Sequence, residues 1–148
     1  MKAFRFRLKR LLDVRRVEEN QSAVRLRQTT ARLRDLDARI ASARRDQADV
    51  FRDLSENLSA GGLPAEAPVQ AATHASRIDR SIRQAERERA DAEQLMRQAQ
   101  QDLRRRKTAR RAIEELQSRE LGTWREDVRR SENAFLDEVA STRHARGR

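Results

Sequence analysis

The chain has 148 residues, 39% of them charged and 3% aromatic, with four Gly, two Pro, no Tyr and a formal net charge of +10. Arg, Ala, Glu, Gln and Leu abound; these are strong helix formers, and their dominance suits a long helix or coiled coil rather than a compact single-core domain. The absence of Cys excludes disulfides and thiolate metal ligands and is compatible with a reducing cytoplasm.

The opening residues Met1 to Leu12 carry positive charge, but Lys9-Arg10 follows at once and no apolar h-region or cleavage site is present, so no signal peptide is expected. No apolar stretch approaches the roughly 20 residues that cross a bilayer, which makes a soluble chain the expectation. A first helix is predicted over residues 3–59. In it Leu26, Leu33, Ile40 and Leu54 recur at heptad spacing, with Leu36, Ala43 and Val50 in the complementary row and Gln47 interrupting one layer. A period of 3.5 is what keeps two helices in register over many turns. Nearer the start, Leu8, Leu11, Leu12, Val14, Val17 and Val24 spread over a wider face than a two-stranded seam uses.

The helical pattern breaks at Gly61-Gly62-Leu63-Pro64-Ala65-Glu66-Ala67-Pro68, giving a predicted connection over residues 60–68. Gly61 or Gly62 suits a left-handed C-cap, and Pro68 suits a first helical turn, where its missing N–H would be orphaned anyway. A second helix is predicted over residues 69–142, followed by a ragged tail, 143–148. Ile82, Met96 and Leu103 form one apolar row and Ile78, Ala85, Ala92, Ala99 and Ile113 the other, with Arg89, Arg106 and Arg110 as polar exceptions. Beyond Ile113, residues Leu116, Leu121, Trp124, Val128, Phe135 and Val139 continue at helical spacing, with the register expected to slip near Arg106. Gly122 lies in this run and costs only about 1 kcal/mol against Ala, too little to break a packed helix.

Two helices joined by a short connection fold back as an antiparallel hairpin. The predicted fold is therefore all-α, a single coiled-coil rod whose arms would be roughly 80 and 110 Å long at 1.5 Å per residue. In an antiparallel pair residue i faces roughly residue 128 minus i, which sets Phe4 near Trp124 and leaves Val128, Phe135 and Val139 uncovered. A rod offers no concave pocket for a substrate, which shifts the expectation from enzyme to a partner-binding device.

Charge is concentrated. Residues 1–10 contribute +5 and residues 104–111 contribute +6, so the open end of the hairpin is expected to be basic. Most arginines on such a helix form solvated i,i+4 pairs, whereas the block from Arg104 to Arg111 has no acidic neighbour within it. One Trp, no Tyr and no reading motif argue against specific nucleic-acid binding. His74 and His144 are the only histidines and have no Cys to join in a metal site, Asp137-Glu138 has no cleft around it, and Gly61-Gly62 is not a phosphate loop. No catalytic residue, metal or cofactor is expected.

The opening Phe4-Arg5-Phe6-Arg7-Leu8-Lys9-Arg10-Leu11-Leu12-Asp13-Val14-Arg15, the basic stretch entering Ile113-Glu114-Glu115-Leu116, and the late Trp124, Glu132 and Asp137-Glu138-Val139-Ala140 resemble the flagellar export protein FliJ family. The resemblance implies a cytoplasmic stalk of the type III export apparatus, peripherally associated with the inner membrane. In this reading it stands as a monomer in the pore of the hexameric export ATPase, reaches toward the membrane-embedded export gate, and also escorts export chaperones. Carried over by position, the gate strip is His74, Ile78, Ser81 and Ala85, where the family has an aromatic in place of His74. The ATPase-binding end is Phe4, Arg5, Arg7, Leu8, Lys9 and Arg10 with Trp124, Val128 and Phe135. The stalk protein of an injectisome-type secretion system and a generic coiled-coil scaffold are the alternatives.

Overall fold

The computed structural model describes residues 3–62 and 64–146; Met1, Lys2, Leu63 and the last two residues of the expected tail lie outside the described residues. It is all-α, with two helices, α1 (Lys9–Ser59) and α2 (Ala67–Arg146), and no strand among the described residues.

α1 begins six residues later than its composition suggests. Residues 3–6 are non-helical, Phe6 is buried, and the Phe4 ring lies 6.0 Å from that of Trp124. The turn into α1 is closed by the Lys9 N–H donating to the Phe6 carbonyl at 3.3 Å.

The connection follows its local chemistry. Gly61 takes φ +72°, and its N–H donates to the Leu58 carbonyl at 3.2 Å, closing the C-terminus of α1. α2 starts at Ala67, two residues earlier than expected, with the Gln70 N–H donating to the Glu66 carbonyl at 3.0 Å and Pro68 in the first turn. At its other end α2 continues through residues 143–146, where a ragged tail was expected. Gly122 does not interrupt it.

The molecule divides into two compact units. The turn unit, Ser22–Leu103, holds the apolar seam. Leu36, Ile40, Ala75, Ile82, Ala85, Ala92 and Ala99 are buried there, with Ala43 and Ile78 packed against the Ile40, Ile82 and Ala85 cluster. The alanine row on α2 lets the opposing backbone approach, and the long Leu and Ile side chains of α1 fill the remaining space. Gln47 occupies its layer without a charge and donates to the Ala75 carbonyl at 3.5 Å. Ion pairs flank the seam: Asp37 with Arg89 at 2.6 Å, and Arg44 with Glu86 at 2.7 Å. Their residue numbers add to 126 and 130, which matches antiparallel helices in the expected register.

The terminal unit, Met1–Gln21 with Arg104–Arg148, is built differently. Its fully buried side chain is Leu12, with Phe6 beside it in burial, while Leu11, Val14 and Val17 face solvent. The wide apolar face expected on early α1 is thus not used for packing. Instead the three-and-four spacing of covered positions runs from half-buried Leu8 and buried Leu12 through half-buried Arg15 and Glu19. On α2 it passes unbroken through Arg106, Arg110, Ile113 and Gln117, and only then does a second step of four reach Leu121. The slip expected near Arg106 therefore falls at Gln117–Leu121, because the guanidinium groups of Arg106 and Arg110 occupy seam positions as apolar residues would.

Candidate interaction surfaces

Charge separates between the two units more sharply than a residue count of the chain suggests. The terminal unit holds seven and thirteen Lys and Arg in its two segments against three and eight Asp and Glu, so it carries +9 of the net +10. Arg5, Arg7, Lys9 and Arg10 are all exposed, and no ion pair involves them among the described residues. Of the second basic block, Arg104, Arg105, Lys107 and Arg111 are exposed, whereas Arg106 and Arg110 turn inward to Glu18 and Glu19 of α1. The block is thus relieved by acids on the other helix, which a reading along one helix misses.

The Arg110 guanidinium is shared by Glu19 and Glu114, whose hydrogen bonds raise its pKa above the usual value. The same hydrogen bond from Arg110, with a second from Arg16, holds the Glu114 carboxyl below the usual carboxylate range. In the turn unit the Arg97 hydrogen bond does likewise for Glu93.

The aromatic end has both polar and apolar character. Phe4 and Trp124 meet with ring planes tilted by 49°, and an open groove beside them is lined by Ala3, Arg5, Arg119, Glu120, Thr123 and Asp127. Phe4, Arg5 and Trp124 are therefore brought together, and Leu8 is half-buried on the same unit. Val128 is half-buried, while Phe135 and Leu136, at 65% and 62% exposure, form an apolar surface with Ser131 and Glu132 further along α2. Leu136 was not singled out from sequence because it lies one position off the stripe of Val128, Phe135 and Val139.

The strip on the first turns of α2 splits into two rows. His74 and Ser81 are exposed; the Ser81 hydroxyl donates to the Ile78 carbonyl at 2.8 Å. Ile78 is half-buried against the core, and Ala85 is only 1% exposed, so Ala85 has no surface to offer a partner. The four share one side of α2, but the seam runs through Ala71, Ala75, Ile78, Ile82 and Ala85, so Ile78 and Ala85 belong to it while His74 and Ser81 flank it. His74 instead borders an open groove with Val50, Asp53, Leu54, Asn57, Gln70 and Ala71, which pairs an aliphatic floor with a polar rim. Its α1 side could not be read from the strip alone, since it depends on which turn of α1 comes opposite.

Among the described residues no group of three or more His, Asp or Glu could hold a metal ion, and no helix is long and apolar enough to cross a membrane. Comparison with curated proteins and with solved structures gave no match. The family model described as flagellar FliJ protein matches residues 4–148, essentially the whole chain. With this coverage, and with an all-α pair of long antiparallel helices beneath it, the chain belongs to the FliJ family.

Proposed function

We propose that the chain is a coupling stalk of the flagellar export apparatus: its terminal unit engages the hexameric export ATPase, and the exposed row on the first turns of α2 meets the export gate. Family membership supports a role in flagellar export. The observation that carries the assignment of ends is charge, since +9 of the net +10 lies on the terminal unit, which also exposes the apolar residues Phe135 and Leu136. A basic surface suits an acidic partner, with the charges steering encounter, and exposed apolar residues on the same unit can help hold the complex. The gate contact rests on His74 and Ser81, with the neighbouring groove on α1, rather than on Ala85.

Two variants separate the ends. Replacing Arg5, Arg7, Lys9 and Arg10 by Glu should weaken binding to the organism's export ATPase, most at low salt, because exposed charges act through a screened field. His74→Glu with Ser81→Glu should leave ATPase binding intact and impair docking to the gate. Ile78→Asp is a poor probe, since it places a carboxylate against the Ile40 and Ile82 core. Unaltered ATPase binding after the fourfold charge reversal at low salt would refute the assignment of ends.

A further inference from the structure

The two units pair their helices by different means: scattered polar contacts beside an apolar seam in the turn unit, a linked set of charges at seam positions in the terminal unit. In the turn unit the seam nearly repeats every seven residues. Ile78, Ala85, Ala92 and Ala99 form one row, so a residue of α1 moved along α2 by a heptad meets another small or aliphatic side chain. Of its polar contacts, Arg44, now on Glu86, would meet Asp79 in one direction and Glu93 in the other, whereas Asp37–Arg89 and the 2.5 Å hydrogen bond from Ser22 to Asp102 would be lost singly, with no shared partner between them.

The terminal unit does not repeat. Glu18 accepts from Arg15 at 2.9 Å and lies 3.7 Å from Arg106. Glu19 binds Arg110, which also binds Glu114, and Glu114 in turn accepts from Arg16 at 3.2 Å. Arg110 and Glu19 are 20% and 19% exposed, too enclosed for water to replace a lost partner fully. A slip of one heptad would set Glu19 against Leu103 or Gln117, Glu18 against Ala99 or Ile113, and Arg16 against Lys107 or Leu121. Every cross-helix pair of the ladder would be broken in either direction.

We propose that this polar ladder, Arg16, Glu18 and Glu19 of α1 with Arg106, Arg110 and Glu114 of α2, selects the register of α1 against α2 within the terminal unit. Charged groups at seam positions give little net stability, because desolvation offsets their attraction; what they contribute is discrimination between otherwise similar pairings. The selected register is the one that sets Phe4 on Trp124; a slipped pairing would face Phe4 with Gln117 or Ser131 and take the aromatic contact apart.

The test uses spin labels at Val17→Cys and Ala112→Cys, exposed positions on the two helices of the terminal unit in a chain with no native Cys. The otherwise native chain should give one interlabel distance. E19L with R110L, which replaces the central charged pair by apolar groups, should stay helical, melt no lower than the native chain, and give a second population. That population arises from pairings displaced by a heptad, about 10 Å along the axis. R16L with E114L should add a second population in the same way. A single unchanged distance in both variants overturns the proposal, and so does loss of the helical fold in E19L with R110L, which would make the ladder a source of stability rather than of register.

Discussion

Alanine at Gly122 and alanine at Gly61 should move stability in opposite directions, although both glycines are exposed and a Cβ at either would have no heavy atom within 4 Å. The difference is backbone conformation. Gly122 lies inside α2 with no positive φ, so a methyl group there meets no strain and removes the excess chain entropy that Gly brings to a helix interior. The gain should approach the full helix-propensity difference, about 0.8–1 kcal/mol, because no packing term opposes it. For a chain of this size, that corresponds to a rise in melting temperature of about 3 °C. Gly61 holds φ +72°, where an L side chain crowds the following carbonyl, so the same methyl group should cost about 1–2 kcal/mol. Trp124, the only tryptophan, lies two residues from Gly122 and reports the terminal unit by fluorescence, while circular dichroism at 222 nm reports helix throughout. Urea titrations followed by both signals would give the two values. Destabilisation by Gly122→Ala would refute the reasoning, since it would mean that α2 is bent or closely approached at that residue.

The aromatic contact and the carboxylates give two more expectations. Trp124→Ala should cost about 2 kcal/mol, below the 3–5 kcal/mol of a fully buried Trp, because the ring is half-buried and its main partner is Phe4; a loss under about 0.5 kcal/mol in urea unfolding would show that the ring contributes nothing to the fold. Glu114 and Glu93 have carboxyl groups held below the usual range by Arg110 and Arg97, so their contribution is present above the ordinary Glu pKa and is lost as pH falls through the lowered one. Melting temperature should therefore be flat near neutrality and fall on acidification below about pH 4, and Glu114→Gln should lessen that fall, as scans of the two proteins across pH would show.

The helices and the turn were legible because the signals that make them are local. Heptad rows from Leu26 to Leu54 and from Ile78 to Leu103 specify two faces that must be buried, and Gly61 with Pro68 ends one helix and starts the next. The Phe4–Trp124 contact was legible too, since an antiparallel pair has a constant index sum and one register point extends to the rest. Three features were not. The non-helical start at residues 3–6, with Phe6 buried and Phe4 on Trp124, depends on contacts that helix propensity cannot express. Arg106 and Arg110 stand in the rows as polar exceptions, but the seam positions of Arg15 and Glu19 and the pairing of Glu18 and Glu19 with those arginines lie outside a search for apolar periodicity. The groove beside His74 depends on which turn of α1 lies opposite; Ala85, by contrast, is buried as its place in the apolar row requires, against its place in the strip carried over by resemblance.

The aromatic pair packs within the fold and also lies on the proposed ATPase surface, and its partial exposure allows the two roles to be tested together. Phe4 and Trp124 add an aromatic contact to the buried Leu12 and Phe6 of the terminal unit, yet both rings remain half-open to the groove bordered by Arg5 and Arg119. If the pair acts only within the fold, Trp124→Ala should weaken ATPase binding in proportion to the fraction unfolded, and cooling or a stabilising Gly122→Ala should restore it. If the ring also meets the ATPase, binding should stay weak in Gly122→Ala with Trp124→Ala even when the double variant unfolds no more readily than Trp124→Phe. The comparison with Trp124→Phe matters because Phe keeps an aromatic partner for Phe4 while removing the indole N–H and part of the surface that faces the groove. Restoration of binding in step with stability would take Trp124 out of the proposed ATPase surface and leave the exposed cations and Phe135 to carry it.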